Sequence, residues 1–100
     1  MLVKFATEAL EKLAVEVSFT GGYEPEVVSA FRQRLQLLRA APTEVALLPM
    51  KALGMRRLSA NEDGYVMRIS NDLGLNMEFD GGGLERRAVV NALTPYDDKS

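Results

Sequence analysis

The chain has 100 residues with no cysteine, histidine or tryptophan, and its 12 basic and 14 acidic side chains leave a net charge of −2. That length fits one domain with a real core. The missing residue types exclude a disulfide scaffold, thiolate or imidazole metal ligation, a Cys nucleophile and an imidazole general base.

Any acid–base chemistry must therefore come from Asp, Glu, Lys or Tyr, with Arg as an electrostatic partner. An apolar content of 47% with 26% charged residues is ordinary for a soluble globule. No apolar run approaches the roughly 18–20 residues that span a bilayer. Residues 1–6 carry Lys4 and are not followed by an apolar stretch of signal-peptide length. The expectation is a cytoplasmic protein with no membrane association.

In chain order, Leu2-Val3-Lys4-Phe5 alternates and predicts a first or edge strand. From Thr7 to about Val15, Leu10, Leu13 and Ala14 fall at helical spacing, with Glu8, Glu11 and Lys12 on the other face. The Gly21-Gly22 pair then breaks regular structure. Glu24-Pro25-Glu26 opens the clearest helix, since Pro at the first position costs no hydrogen bond and early carboxylates suit the positive end of the dipole. Val27, Phe31, Leu35 and Leu38 form its apolar stripe, with Arg32, Gln36 and Arg39 off it. Pro42 stops the helix by disfavouring helical geometry at Ala41.

Thr43 is placed to cap a short turn over Glu44 to Leu48, which Pro49 interrupts. From Met55 the period becomes two. Arg56-Arg57-Leu58 leads into a polar turn at 60–64, and Tyr65 to Ile69 reads as a strand. After a turn at Ser70-Asn71-Asp72, the residues Leu73, Leu75, Met77 and Phe79 alternate with Gly74, Asn76 and Glu78 as a half-buried strand. Asp80 and three glycines predict a hairpin connection to a strand over Leu84–Leu93. Pro95 ends that strand, so a domain over 1–94 and an acidic tail over 95–100 are expected. Strand, helix, helix and three further strands make an α+β domain, with helices beside an antiparallel meander.

Charge is polarised along the chain. Between residues 32 and 57, Arg32, Arg34, Arg39, Lys51, Arg56 and Arg57 stand against Glu44 alone, giving +5; residues 61–100 carry −4. The basic block is either a shared positive surface or a set of solvated faces. Asp80-Gly81-Gly82-Gly83 lacks the helix start and lysine of a phosphate cradle, so it reads as a turn. Glu62-Asp63 and Asp97-Asp98 lack the ligand spacing of a calcium loop. No metal and no cofactor are expected. Met50, Met55, Met67 and Met77 are expected to fill core gaps, and Tyr65 to pack. Tyr96 stands at the end of the last strand, where strands border clefts.

Four phrases, KFATEALEKL, YEPEVVSAFRQRLQLLRAAP, MKALGMRRL and YVMRIS, fall in an order and spacing that resemble the killer-protein (HigB-like) toxins of type II toxin–antitoxin modules, in the RelE/ParE superfamily. The resemblance covers Phe5 to Arg68, about two-thirds of the chain. It implies a fold like that of microbial ribonucleases, with two helices against a curved antiparallel sheet. It also implies cleavage of mRNA in the ribosomal A site, where cations stabilise the charge that develops as the 2′-hydroxyl attacks its own phosphate. The implied partners are the ribosome with its mRNA and a cognate antitoxin, a helix-turn-helix protein, that covers or distorts the concave face. The positions it points to are Arg68, Tyr96 and Arg57 as catalytic, and Arg56, Arg57 and Lys51 as RNA-binding.

The sequence departs from the family pattern at three places. Leu73-Gly74 stands where the family usually has Trp-Arg, Ala60-Asn61-Glu62-Asp63 where it has Gly-Asp-Arg with further basic residues, and Pro95-Tyr96-Asp97 where it has Asp-Tyr-His. The first expectation is therefore a toxin-like protein that binds an antitoxin, with cleavage weakened or lost. A second is an active ribosome-dependent endoribonuclease using Arg56, Arg57, Arg68 and Tyr96. A third is an unrelated binding module that shares only the α+β layout.

Overall fold

A computed structural model describes residues 1–58 and 64–96. Along these the chain forms β1 (Leu2–Phe5), α1 (Glu8–Val15), α2 (Pro25–Ala40), β2 (Arg56–Arg57), β3 (Gly64–Arg68), β4 (Leu73–Asp80) and β5 (Arg87–Pro95). Single 3-10 turns occupy Glu44–Ala46, Lys51–Leu53 and Gly83–Glu85.

The helix boundaries follow from their caps. Thr7 is extended, and its hydroxyl accepts the Leu10 N–H at 3.3 Å, satisfying one of the free amides of the first turn. α2 starts on Pro25 and ends where Ala41, with ψ 138°, adopts the extended geometry that Pro42 imposes. The buried stripe of α2 is Val28, Phe31, Leu35 and Leu38. Val28 thus heads the stripe in place of the expected Val27, which is half-buried against the same core.

The five strands lie in the order β1-β5-β4-β3-β2. β2 to β5 form the expected antiparallel meander, and β1 joins its β5 edge in parallel, with Leu2 beside Arg87 and Phe5 beside Val90. The sheet is therefore mixed. Alternation assigns its two faces. Tyr65, Met67 and Ile69 from the third strand, Leu75, Met77 and Phe79 from the fourth, and Ala88 and Val90 from the fifth meet the two helices in one core. Val66, Arg68, Gly74, Asn76 and Glu78 point the other way, onto the face the helices leave uncovered.

Pairing slips between Asn76 and Met77: Met77 faces Val90 while Asn76 faces Ala92, so Asn91 is the extra residue of a bulge. Its effect is to return Leu93 to the core side, three positions after Val90. The last strand starts at Arg87, not at Leu84, because Asp80 pairs with Arg87 and leaves 81–86 to the connection. There Gly81 and Gly83 take positive φ and Leu84 is fully exposed. Among the methionines, Met67 and Met77 are fully buried and Met55 packs against the core, whereas Met50 is 44% exposed and fills no gap. The polar turn expected at 60–64 lies, apart from Gly64, outside the described residues, as do Glu62-Asp63 and Asp97-Asp98. Among the described residues no helix is long and apolar enough to cross a membrane.

Candidate functional site

β2 decides which arginines share a face. Arg56 lies opposite Val66 and Arg57 opposite Tyr65, and directly paired residues project to the same side of a sheet. Arg56 therefore reaches the uncovered face, and Arg57 the helix side. Arg57 Nη2 donates to the Tyr65 hydroxyl at 3.3 Å, with its guanidinium 5.7 Å from that ring's centre. The Tyr65 ring in turn meets Phe79 edge-on, 5.3 Å between centroids. The Tyr65 side chain is a packing element, as expected, and it also receives the Arg57 guanidinium.

On the uncovered face, Arg56, Arg68 and Tyr96 come together. The Tyr96 ring has the Arg56 guanidinium carbon 4.6 Å and that of Arg68 5.2 Å from its centre. The negative face of the ring attracts both cations, which offsets their mutual repulsion. Three contacts fix the tyrosine, which is only 7% exposed. Its backbone N–H donates to the Asp72 carbonyl at 3.0 Å, its hydroxyl donates to the Gly54 carbonyl at 2.6 Å, and its ring lies over Gly74. A Cβ at Gly74 would stand 3.0 Å from Tyr96 Cδ2 and 2.6 Å from Val66 Cγ2, so the space above residue 74 is already filled.

Two supporting contacts were not foreseen in the sequence, one from Arg34 of the basic block and one from Gly54. Arg34, on α2, donates from Nε to the Arg68 carbonyl at 3.0 Å, tying the end of the third strand to the helix layer. Burial pulls its guanidinium below the usual arginine range. Gly54, with φ +51°, closes the Lys51–Leu53 turn in left-handed geometry and presents the carbonyl that Tyr96 binds. Lys51 is exposed on that same turn, one step removed from the cluster. A further contact clips the basic loop to the sheet. Arg86 Nε donates to Glu44 Oε1 at 3.0 Å, a second bond joins Arg86 Nη2 to Glu44 Oε2, and Arg86 Nη1 reaches the Gly81 carbonyl at 2.8 Å. The hydrogen bond from Arg86 holds the Glu44 carboxyl below the usual carboxylate range, although burial opposes it. The one acid of the basic block is therefore spent internally.

Two guanidinia on one face are groups of the kind that pair with phosphate-type anions. The phenol of Tyr96 has its proton committed to a backbone carbonyl. Among the described residues, no group of three or more acidic side chains could hold a metal ion.

No protein-family model and no curated protein matches the sequence. Among solved structures, a YoeB/ParE toxin from Agrobacterium tumefaciens superposes with a TM-score of 0.66 at 14% identity, over 97% of this chain and 100% of that one. The two share a fold. The expected architecture, two helices packed on a sheet with an N-terminal strand at its edge, is the one found.

Proposed function

We propose that this chain is the toxin-type component of a type II toxin–antitoxin module, HigB-like, which binds a cognate helix-turn-helix antitoxin and has weak or no ribosome-dependent mRNA cleavage. The toxin fold supports the first half of that reading. The packing of Tyr96 against Gly54 and Gly74 carries the second. Cleavage through a 2′-hydroxyl needs a group that takes a proton and one that returns it. Arginine stays charged and does neither at ordinary pH, the chain has no histidine, and the nearby phenol is bonded to a carbonyl and buried. That leaves the Glu78 carboxylate as the one proton-transfer group the described strands place on that face. Arg56 and Arg68 then bind phosphate without turning it over. The domain would run through Tyr96, past the expected boundary at 94, because β5 reaches Pro95 and Tyr96 is buried, and it would work in the cytoplasm.

Expression of the chain alone in a bacterial host, and together with the small protein encoded beside it, tests the reading. The expected result is little or no growth arrest alone and co-purification of the pair. Failure of the two to associate at micromolar concentration overturns it. The two guanidinia on the uncovered face favour a second reading, an active endoribonuclease. That reading requires growth arrest relieved by Arg68→Ala.

A further inference from the structure

An apolar groove of about 230 Å³ opens between the last turn of α2 and the loop that follows it. Leu37 and Ala40 of the helix and Pro42, Ala46, Leu47 and Met50 of the loop line it, with Leu47 only 1% exposed. Val45 and Leu48, on the same loop, are also exposed apolar side chains. Contiguous apolar surface of this kind marks a contact site. The volume falls below the roughly 300–1,000 Å³ of small-molecule sites and matches a single side-chain anchor of a protein partner.

The charge around it is of one sign. Arg39 lines the adjoining hollow over the same Ala40–Pro42 stretch, and Lys51 follows Met50 directly; both are exposed. Their basic neighbours are committed elsewhere: Arg32 to the carbonyls of Leu13 and Glu16, and Arg34 to that of Arg68. From residue 36 to residue 53 the sole acid is Glu44, which Arg86 neutralises. The exposed charges contributed by the end of α2 and the loop after it, Arg39 and Lys51, are both cationic.

We propose that this groove takes one large apolar side chain of an acidic segment of a partner protein, with carboxylates of the segment facing Arg39 and Lys51. Apolar burial supplies the anchor, and rim charges steer and select. A nucleic acid is disfavoured because the lining offers no aromatic ring for base stacking. A second copy is disfavoured because a two-fold contact would set the same cations against their twins. The proposal does not rest on the toxin reading, and its test involves no growth assay.

The test measures fluorescence anisotropy of a fluorescein-labelled peptide, a leucine pair flanked by glutamates, on titration with the full chain. Binding should weaken with added salt and fall about tenfold or more when serines replace the leucines or when the protein carries Ala46→Glu or Lys51→Glu. Lys4→Glu, on β1, should leave it unchanged, and circular dichroism shows that each variant is folded. Equal binding of a lysine-flanked peptide, no effect of Ala46→Glu, or no anisotropy change at all overturns the proposal. Displacement of the peptide by an oligoribonucleotide, or a sedimenting dimer that Ala46→Glu dissociates, also overturns it and reassigns the groove.

Discussion

Tyr96 donates its phenolic hydrogen to the carbonyl of Gly54, 2.6 Å away in space and 42 positions away in sequence. The bond ties the end of β5 to the turn that precedes β2, so the two arginines on the ring are set by elements from both sides of the sheet. It also accounts for the glycine: a Cβ at position 54 would stand 2.5 Å from the phenolic oxygen.

Tyr96→Phe removes that bond and leaves the Gly54 carbonyl unsatisfied in a half-closed site. The expected loss is about 1–2 kcal/mol, read as a lower urea midpoint with an unchanged slope. Growth of cells expressing the variant should match that of cells expressing the parent chain. A variant of full stability that relieves a growth arrest would instead make the phenol a catalytic group.

Gly74→Ala forces a methyl against Val66 and Tyr96, at an expected cost of about 1–3 kcal/mol. Combining it with Val66→Ala gives the methyl room. The double variant should recover at least about 0.5 kcal/mol relative to additivity, measured by chemical denaturation of the full cycle.

Glu44 should make acid stability steeper. Arg86 favours its charged form in the folded chain, so the unfolded chain binds that proton more readily. The associated stability is complete above the ordinary glutamate value, pH about 4.3, and is lost as pH falls through the lower folded value. Glu44→Gln should cost about 1–3 kcal/mol at neutral pH. The gap between variant and parent should close below pH about 4, as followed by denaturation at a series of pH values.

Arg34→Met keeps much of the packing stem but removes the donor to the Arg68 carbonyl. A hydrogen bond from a charged group is worth about 2 kcal/mol, and in a domain of this size each kcal/mol lowers Tm by roughly 4–8 °C. A thermal melt that does not move would mean that α2 does not hold the third strand through this contact.

Local chemistry was legible in the sequence wherever it acts over a few residues. Pro25 and Pro42 as the limits of α2 and the alternation of β4 reappear in space, whereas Thr43 precedes the Glu44–Ala46 turn without capping it through its side chain. What depends on distant partners was not. Alternation reveals that Leu2–Phe5 is a strand but carries no direction, so the parallel pairing with β5 was hidden. The bulge at Asn91 and the Glu44–Arg86 pair arise from register and from contacts between remote segments. The separation of Arg56 from Arg57 is different. Adjacent strand residues face opposite ways, and the structure accordingly brings Arg56 to Arg68 and Tyr96 and sets Arg57 against Tyr65. For Lys51 the sequence offered charge alone, and the structure sets it on the turn beside the cluster.

The placement of β5 also fixes the order in which the protein can be finished during synthesis. It is the last strand made, yet it lies between β1 and β4, so β1 emerges from the ribosome and waits for its neighbour while nearly the whole chain is translated. The Tyr96 platform comes later still. Neither the completed sheet nor the arginine pair stacked on Tyr96 exists until residue 96 has left the ribosome that made it, so every shorter nascent form lacks that platform.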